Sequence, residues 1–171
     1  KINYVVPTGN FGNILACYIA KKMGLFIDKI VCASNENNVL TDFFNNKVYD
    51  KNREFYLTNS PAMDILISSN LERLLYLITN NNEKLVNELM MDLKNKGRYE
   101  LPIEYHNELN DFYAYSINPK DTVEYIKEVY NKYDYLIDPH TAVAYGAYTK
   151  YQNILKGKTV VVSTASPFKF L

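Results

Sequence analysis

Pro7-Thr8-Gly9-Asn10-Phe11-Gly12-Asn13 joins two apolar runs of different kinds. Before it stands Ile2-Asn3-Tyr4-Val5-Val6, which reads as a buried strand. After it stands Ile14-Leu15-Ala16-Cys17-Tyr18-Ile19-Ala20, which reads as a buried helix. A strand that turns through two glycines into a helix start is suited to an anion. Glycine lets the backbone bend and approach a ligand closely, and the first amides and positive dipole end of the helix then face it. Many strand-to-helix turns need glycine only for geometry, so the turn alone leaves both readings open.

Working outward, the chain alternates strand and helix signals. Residues 4–6, 29–33 and 159–163 read as buried parallel strands, with 135–137 as a fourth and 55–57 as a weaker candidate. The first helix is expected to end near Met23, with Lys21 and Lys22 in its last turn and Gly24 as the stop. A second helical region opens at Ser60-Pro61, breaks at Ser68-Ser69-Asn70 and restarts at Leu71. Amphipathic helices are expected over 82–96, ended by Gly97, and over 119–133. Residues 98–119 read as irregular and polar, and 82–133 as a helical insertion. The fold class is therefore α/β: a three-layer, doubly wound, mainly parallel sheet of Rossmann-like kind carrying that insertion.

Composition removes several classes of function. The 171 residues are 47% hydrophobic, enough for a sizeable single core. Net charge is +0, from 19 Lys+Arg against 19 Asp+Glu, with no basic stripe for a nucleic acid. No apolar run approaches the ~20 residues that span a bilayer, and no secretory signal pattern appears. Cys17 and Cys32 lie inside apolar patterns and read as buried free thiols of a reducing cytoplasm. They make no metal site, and His106 and His140 are too isolated to add one. Lys1 leads straight into a core-like strand and residues 168–171 stop without a tail, so a piece of a longer protein is expected.

Polar clusters recur where parallel strands end, which is where open sheets bind ligands. They are Ala33-Ser34-Asn35-Glu36-Asn37-Asn38, Ser68-Ser69-Asn70-Leu71-Glu72-Arg73, Asp138-Pro139-His140-Thr141 and Ser163-Thr164-Ala165-Ser166-Pro167. Structural explanations compete with ligand roles. Ser69 and Glu72 fit a capping box. Asp138-Pro139 fits a helix cap and first residue, with His140 carried along. Asn35, Asn37 and Asn38 serve equally as caps or ligand contacts. Arg73 is harder to explain by structure, because a cation in a first helical turn opposes the dipole.

Taken together, these motifs resemble the threonine synthases, in the longer, class-two branch. The resemblance rests on the 7–13 loop, Ala33-Ser34-Asn35-Glu36-Asn37, Ser60-Pro61-Ala62-Met63-Asp64-Ile65, Ser69-Asn70-Leu71-Glu72-Arg73, Asp138-Pro139-His140-Thr141-Ala142-Val143-Ala144 and Ser163-Thr164-Ala165-Ser166-Pro167, in one order over nearly the whole chain. It implies the large domain of a fold-type-II pyridoxal 5'-phosphate enzyme, converting O-phospho-L-homoserine and water into L-threonine and phosphate. By position, Gly9, Asn10, Phe11, Gly12 and Asn13 are expected to wrap the cofactor phosphate. Thr164 is expected to face the pyridine nitrogen. Ser68, Asn70 and Arg73 are expected to meet the substrate phosphate. The family's Schiff-base lysine lies N-terminal to the phosphate loop, in a part of the polypeptide outside this chain, and Lys169 does not occupy that position. Residues 1–171 are thus expected to be a central to C-terminal fragment of the cofactor-binding domain, inactive without the N-terminal part. The rival readings are another lyase of the same cofactor group, such as a threonine dehydratase, or a non-catalytic module that binds a phosphate ligand. An ordinary dinucleotide-binding domain is disfavoured, because the loop is not Gly-x-Gly-x-x-Gly.

Overall fold

The computed structural model describes residues 1–170; Leu171 lies outside the described residues. In chain order the elements are β1 (Ile2–Pro7), α1 (Gly12–Lys22), β2 (Ile27–Ser34), α2 (Val39–Asn46), β3 (Val48–Asp50), α3 (Leu71–Ile78), α4 (Glu83–Lys96), β4 (Arg98–Glu100), β5 (Phe112–Ser116), α5 (Pro119–Tyr133), α6 (Pro139–Tyr151) and β6 (Lys158–Val161). A four-stranded sheet runs β5-β2-β1-β6 with every pair parallel, and β3 and β4 form a separate antiparallel pair.

The two-residue repeat of a strand sorts the apolar side chains onto opposite faces. Val6, Ile30 and Cys32 pack with Ile14, Leu15 and Tyr18 of α1 and with Val39, Leu40 and Phe43 of α2. Val5, Val31 and Ala33 pack against Val143, Ala144 and Ala147 of α6. The small residues of α6 let it lie close to the sheet. Helices thus cover both faces, the three-layer α/β arrangement expected from the alternating strands and helices.

The order of strands positions the site. From β1 the chain crosses to β2 and β5 on one side, whereas β6 lies on the other. The order reverses at β1. In open parallel sheets the crevice at the carboxyl ends beside such a reversal is where ligands bind. Here that crevice lies between the loop after β1 and the segment after β6.

Three expectations from the sequence need correction. Residues 135–137 are not a strand: they are the short link between Asp134, which ends α5 in a left-handed conformation at φ 50, and Asp138, which caps α6. Their place in the sheet is taken by β5, paired with β2 from Ile30↔Phe112 to Ser34↔Ser116. The 82–133 stretch is therefore not a purely helical insertion, since it supplies α4 and α5 but also a strand of the main sheet. Residues 55–57 are irregular, with Leu57 87% exposed. The expected ends of α1 and α4 coincide with Met23 and Gly97, the latter in the left-handed region at φ 76.

Candidate functional site

The loop after β1 is held from below. Thr8 N–H donates to Ala33 O at 2.9 Å, and Thr8 Oγ1 to Val6 O at 2.8 Å. Asn13 spends its side chain on the loop itself, donating from Nδ2 to Pro7 O at 2.8 Å and accepting the Ile14 amide on Oδ1 at 2.9 Å. Phe11 sits at the cap of α1 with φ 68, a left-handed conformation uncommon for a residue with a side chain. Its ring is fully buried and stacks on Phe44 with centroids 5.8 Å apart. Phe11 thus anchors the loop in the core, and what it offers a ligand is its amide.

The start of α1 carries no side-chain cap bond and no acidic residue in its first turn. Among the described residues, none of the amides from Gly9 to Asn13 donates to a protein acceptor. Such a helix start retains its positive end uncompensated. These residues line a cleft of about 300 Å³ together with Ala62, Met63, His140, Thr164, Ala165 and Lys169. A Cβ added to Gly9 would come within 2.9 Å of Ala62 O and 3.1 Å of Met63 Cα, so glycine is required by close packing of the loop on the turn Pro61–Met63. At Gly12 an added Cβ would meet only Asn70 Nδ2, at 3.7 Å. A shaped, donor-rich, uncompensated cradle of this kind fits a phosphate group.

Ser68 and Asn70 lie directly behind the loop. Ser68 Oγ donates to Gly9 O at 2.8 Å. Asn70 donates to Asn10 O from its backbone at 3.1 Å and from Nδ2 at 2.8 Å. Turning these carbonyls away leaves the loop amides for the cleft. Tyr49 supports the same segment, accepting the Ser68 amide at 2.8 Å and donating to Leu66 O at 3.0 Å. Burial pushes its phenol up to about 12, so it remains a donor at neutral pH. The expected capping box is absent: α3 starts at Leu71, Asn70 holds the cap position, and no side chain caps the helix. Asn70 is instead committed to the loop. Arg73 is not brought into the cleft. It is exposed and lines a separate groove of about 640 Å³ with Leu15, Ile19, Tyr76 and Met90.

On the opposite wall, Asp138 caps α6 as expected, accepting the His140 amide at 2.8 Å and the Thr141 amide at 3.4 Å. His140 is buried beside it, with Nδ1 2.9 Å from Asp138 Oδ1. Ala62 N–H donates to His140 Nε2 at 3.2 Å. An acceptor at Nε2 places the proton of a neutral ring on Nδ1, where the carboxylate accepts it. Thr141 Oγ1 also bonds to Asp138 and lies 3.0 Å from Ser163 Oγ. That hydroxyl contact ties the start of α6 to the segment carrying Thr164, which is exposed and lines the cleft. The sequence offered His140 as part of a cap; that its ring also lines the cleft follows from the path of the Pro61–Met63 turn, which no local pattern reveals. Asn35 and Asn37 do not cap α2 and do not line the cleft. Among the described residues there is no cluster of three or more His, Cys, Asp or Glu able to hold a metal, and no helix long and apolar enough to cross a membrane.

No family model matches the chain. It is 40% identical to threonine synthase from Saccharomyces cerevisiae over 99% of its own length and 36% of that protein. It is 40% identical to threonine synthase-like 1 from Homo sapiens over 98% of its length and 22% of that protein. The solved structure of PLP-bound threonine synthase from Brucella melitensis superposes with a TM-score of 0.93 at 36% identity, covering 99% of this chain and 36% of that one. The chain belongs to the threonine synthase family. It spans about a third of the length of the yeast relative, and its crevice beside β1 is accordingly part of a threonine synthase fold.

Proposed function

We propose that this chain forms the cofactor-phosphate half of a threonine synthase site. The full-length protein then converts O-phospho-L-homoserine and water into L-threonine and phosphate, in the cytoplasm. One observation carries the reading: residues Gly9 to Asn13, whose amides have no protein acceptor among the described residues, line the same cleft as Thr164, in a chain 40% identical to threonine synthase over 99% of its length.

In this reading the amides of Gly9, Asn10, Phe11, Gly12 and Asn13 hold the phosphate of pyridoxal 5'-phosphate, with the α1 dipole adding to the attraction. Each charge-assisted bond contributes about 1.5–3 kcal/mol in a shielded setting. Bound there, the cofactor supplies an electron-withdrawing ring for the substrate's carbon skeleton. Thr164 presents a hydroxyl to the ring nitrogen, which unlike a carboxylate does not force that nitrogen to be protonated. His140, held by Asp138 at Nδ1, accepts the Ala62 amide on Nε2 and so holds that wall in place. Ser68 and Asn70 support the loop from behind, and Arg73, which stands outside the cleft in the first turn of α3, is assigned the substrate phosphate from its neighbouring groove. The lysine that bonds the cofactor in this family comes from the N-terminal part of the polypeptide, so residues 1–171 alone make no threonine.

The test compares pyridoxal 5'-phosphate with pyridoxal in titrations of the full-length protein, alongside turnover of O-phospho-L-homoserine. The proposal expects the phosphate-free analogue to bind at least about tenfold more weakly, and threonine to appear with stoichiometric phosphate. Equal affinity for the two compounds would contradict the phosphate role of the loop. Turnover of threonine to ammonia without use of O-phospho-L-homoserine would favour a dehydratase.

A further inference from the structure

Asp64 does not line the cleft, yet its carboxylate is a meeting point for donors. Oδ1 accepts from Asn35 Nδ2 at 2.7 Å, Asn37 Nδ2 at 3.1 Å and Thr58 Oγ1 at 2.7 Å, and Oδ2 accepts the Thr58 amide at 2.9 Å. Asn35 and Asn37 are both buried. Asn37 binds Tyr56 in both directions, donating to its carbonyl at 2.8 Å and accepting its amide at 2.9 Å. Asn35 Nδ2 also lies 3.0 Å from Ser60 Oγ, and Ser60 is completely buried.

This knot replaces secondary structure. Between β3 and α3 the only regular element is the turn Pro61–Met63. Its flanking apolar residues contribute little, since Phe55, Leu57 and Ile67 are exposed. Backbone groups there must find side-chain partners or stay unpaired, and the Asp64 carboxylate with Asn35 and Asn37 supplies them. The knot closes one residue after the turn whose Ala62 and Met63 press on Gly9 and whose Ala62 amide bonds to His140. An ionised acceptor makes stronger bonds than a neutral one, so charge at Asp64 fixes the turn most firmly.

We propose that Asp64 is a positioning residue for the phosphate cleft: by tying the end of β2 to segment 56–60, it sets the Pro61–Met63 turn as the wall over Gly9. The proposal rests on the phosphate reading of the 9–13 loop. Asp64→Asn keeps the shape but turns one oxygen into a donor, so that one of the four donors faces another donor.

The test uses the full-length protein, with pyridoxal 5'-phosphate as the probe, at a temperature where every variant is fully folded. A residue that only stabilises the fold changes the folded fraction and leaves the affinity of folded molecules untouched. The expected result is a Kd raised at least about tenfold for Asp64→Asn. Thr58→Val, which removes one hydroxyl donor and keeps the volume, is expected to shift affinity in the same direction by less, and decides the matter if Asp64→Asn does not fold. Asp92→Asn, which breaks only the exposed pair with Lys96 on α4, is the control and is expected to bind like the parent. Unchanged affinity in both Asp64→Asn and Thr58→Val, with or without a lowered melting temperature, would overturn the inference. Failure of the parent protein itself to bind the probe would overturn the phosphate reading, which is a distinct outcome.

Discussion

Replacing Gly12 with Asp separates the stability of the loop from its affinity for an anion. Gly12 is the first residue of α1 and is not in the left-handed region. A Cβ there meets only Asn70 Nδ2 at 3.7 Å, an ordinary contact. The helix has no acidic residue in its first turn, so a carboxylate there is favoured by about 0.3–1 kcal/mol. Leaving glycine also gains helix propensity. The melting temperature of the full-length protein without cofactor is therefore expected to hold or rise. A phosphate held by the same amides would lie on the order of 5 Å from that carboxylate. At an effective dielectric of about 20, the repulsion is roughly 3 kcal/mol per unit of phosphate charge. Affinity for pyridoxal 5'-phosphate should fall by about 100-fold or more at low salt, and less at high salt. Gly12→Ala, equal in backbone effect and uncharged, should lose far less. The assay is absorbance or fluorescence titration at two ionic strengths, with pyridoxal as the uncharged comparison. Undiminished affinity of Gly12→Asp for pyridoxal 5'-phosphate would refute the placement of the phosphate at α1.

Gly9→Ala should act by the opposite route, because its Cβ meets backbone atoms that cannot step aside; stability should drop by about 1–3 kcal/mol, read by denaturant unfolding, together with cofactor affinity. Arg73→Ala removes an exposed side chain with no ion pair among the described residues, so the melting temperature should stay put while kcat/KM for O-phospho-L-homoserine falls; one charge-assisted contact suggests about 1.5–3 kcal/mol, and unchanged kcat/KM would remove the substrate-phosphate role from Arg73. Alkali should weaken the fold. Burial raises Cys32 from 9.0 and Tyr49 from 10.0, each to about 12, so the unfolded chain releases protons before the folded one does. Stability should therefore be intact below about pH 9 and decline as pH rises toward 12, which pH-dependent unfolding curves will report.

The sequence made β1, β2, α1 and the loop between strand and helix legible because each signal there is local. Val5 and Val6 alternate between two helical layers, and Gly24 and Gly97 mark helix ends by geometry that glycine adopts freely. β5 was hidden because its apolar surface is aromatic and partly shared with water, with Tyr113 and Tyr115 only half-buried. Its strand character comes from pairing with β2, a partner far away in sequence. Residues 135–137 misled for the converse reason: a Tyr-Leu-Ile run has strand propensity, but two helix ends leave it no room to pair. At the site, the loop itself was readable and its supports were not. Ser68 and Asn70 stood out as polar residues in a helix-start pattern, and only the fold shows them bound to the carbonyls of Gly9 and Asn10. Asp64 stood in the 60–65 motif, but its bonding role had no local sign, since its partners stand at positions 35, 37 and 58.

The most direct test of the whole account is a crystal structure of the full-length protein with pyridoxal 5'-phosphate. The phosphate oxygens are expected within about 2.7–3.2 Å of amides between Gly9 and Asn13, with Thr164 Oγ1 beside the ring nitrogen. Cofactor phosphate held elsewhere, with the amides of that loop turned to water or to protein, would contradict it.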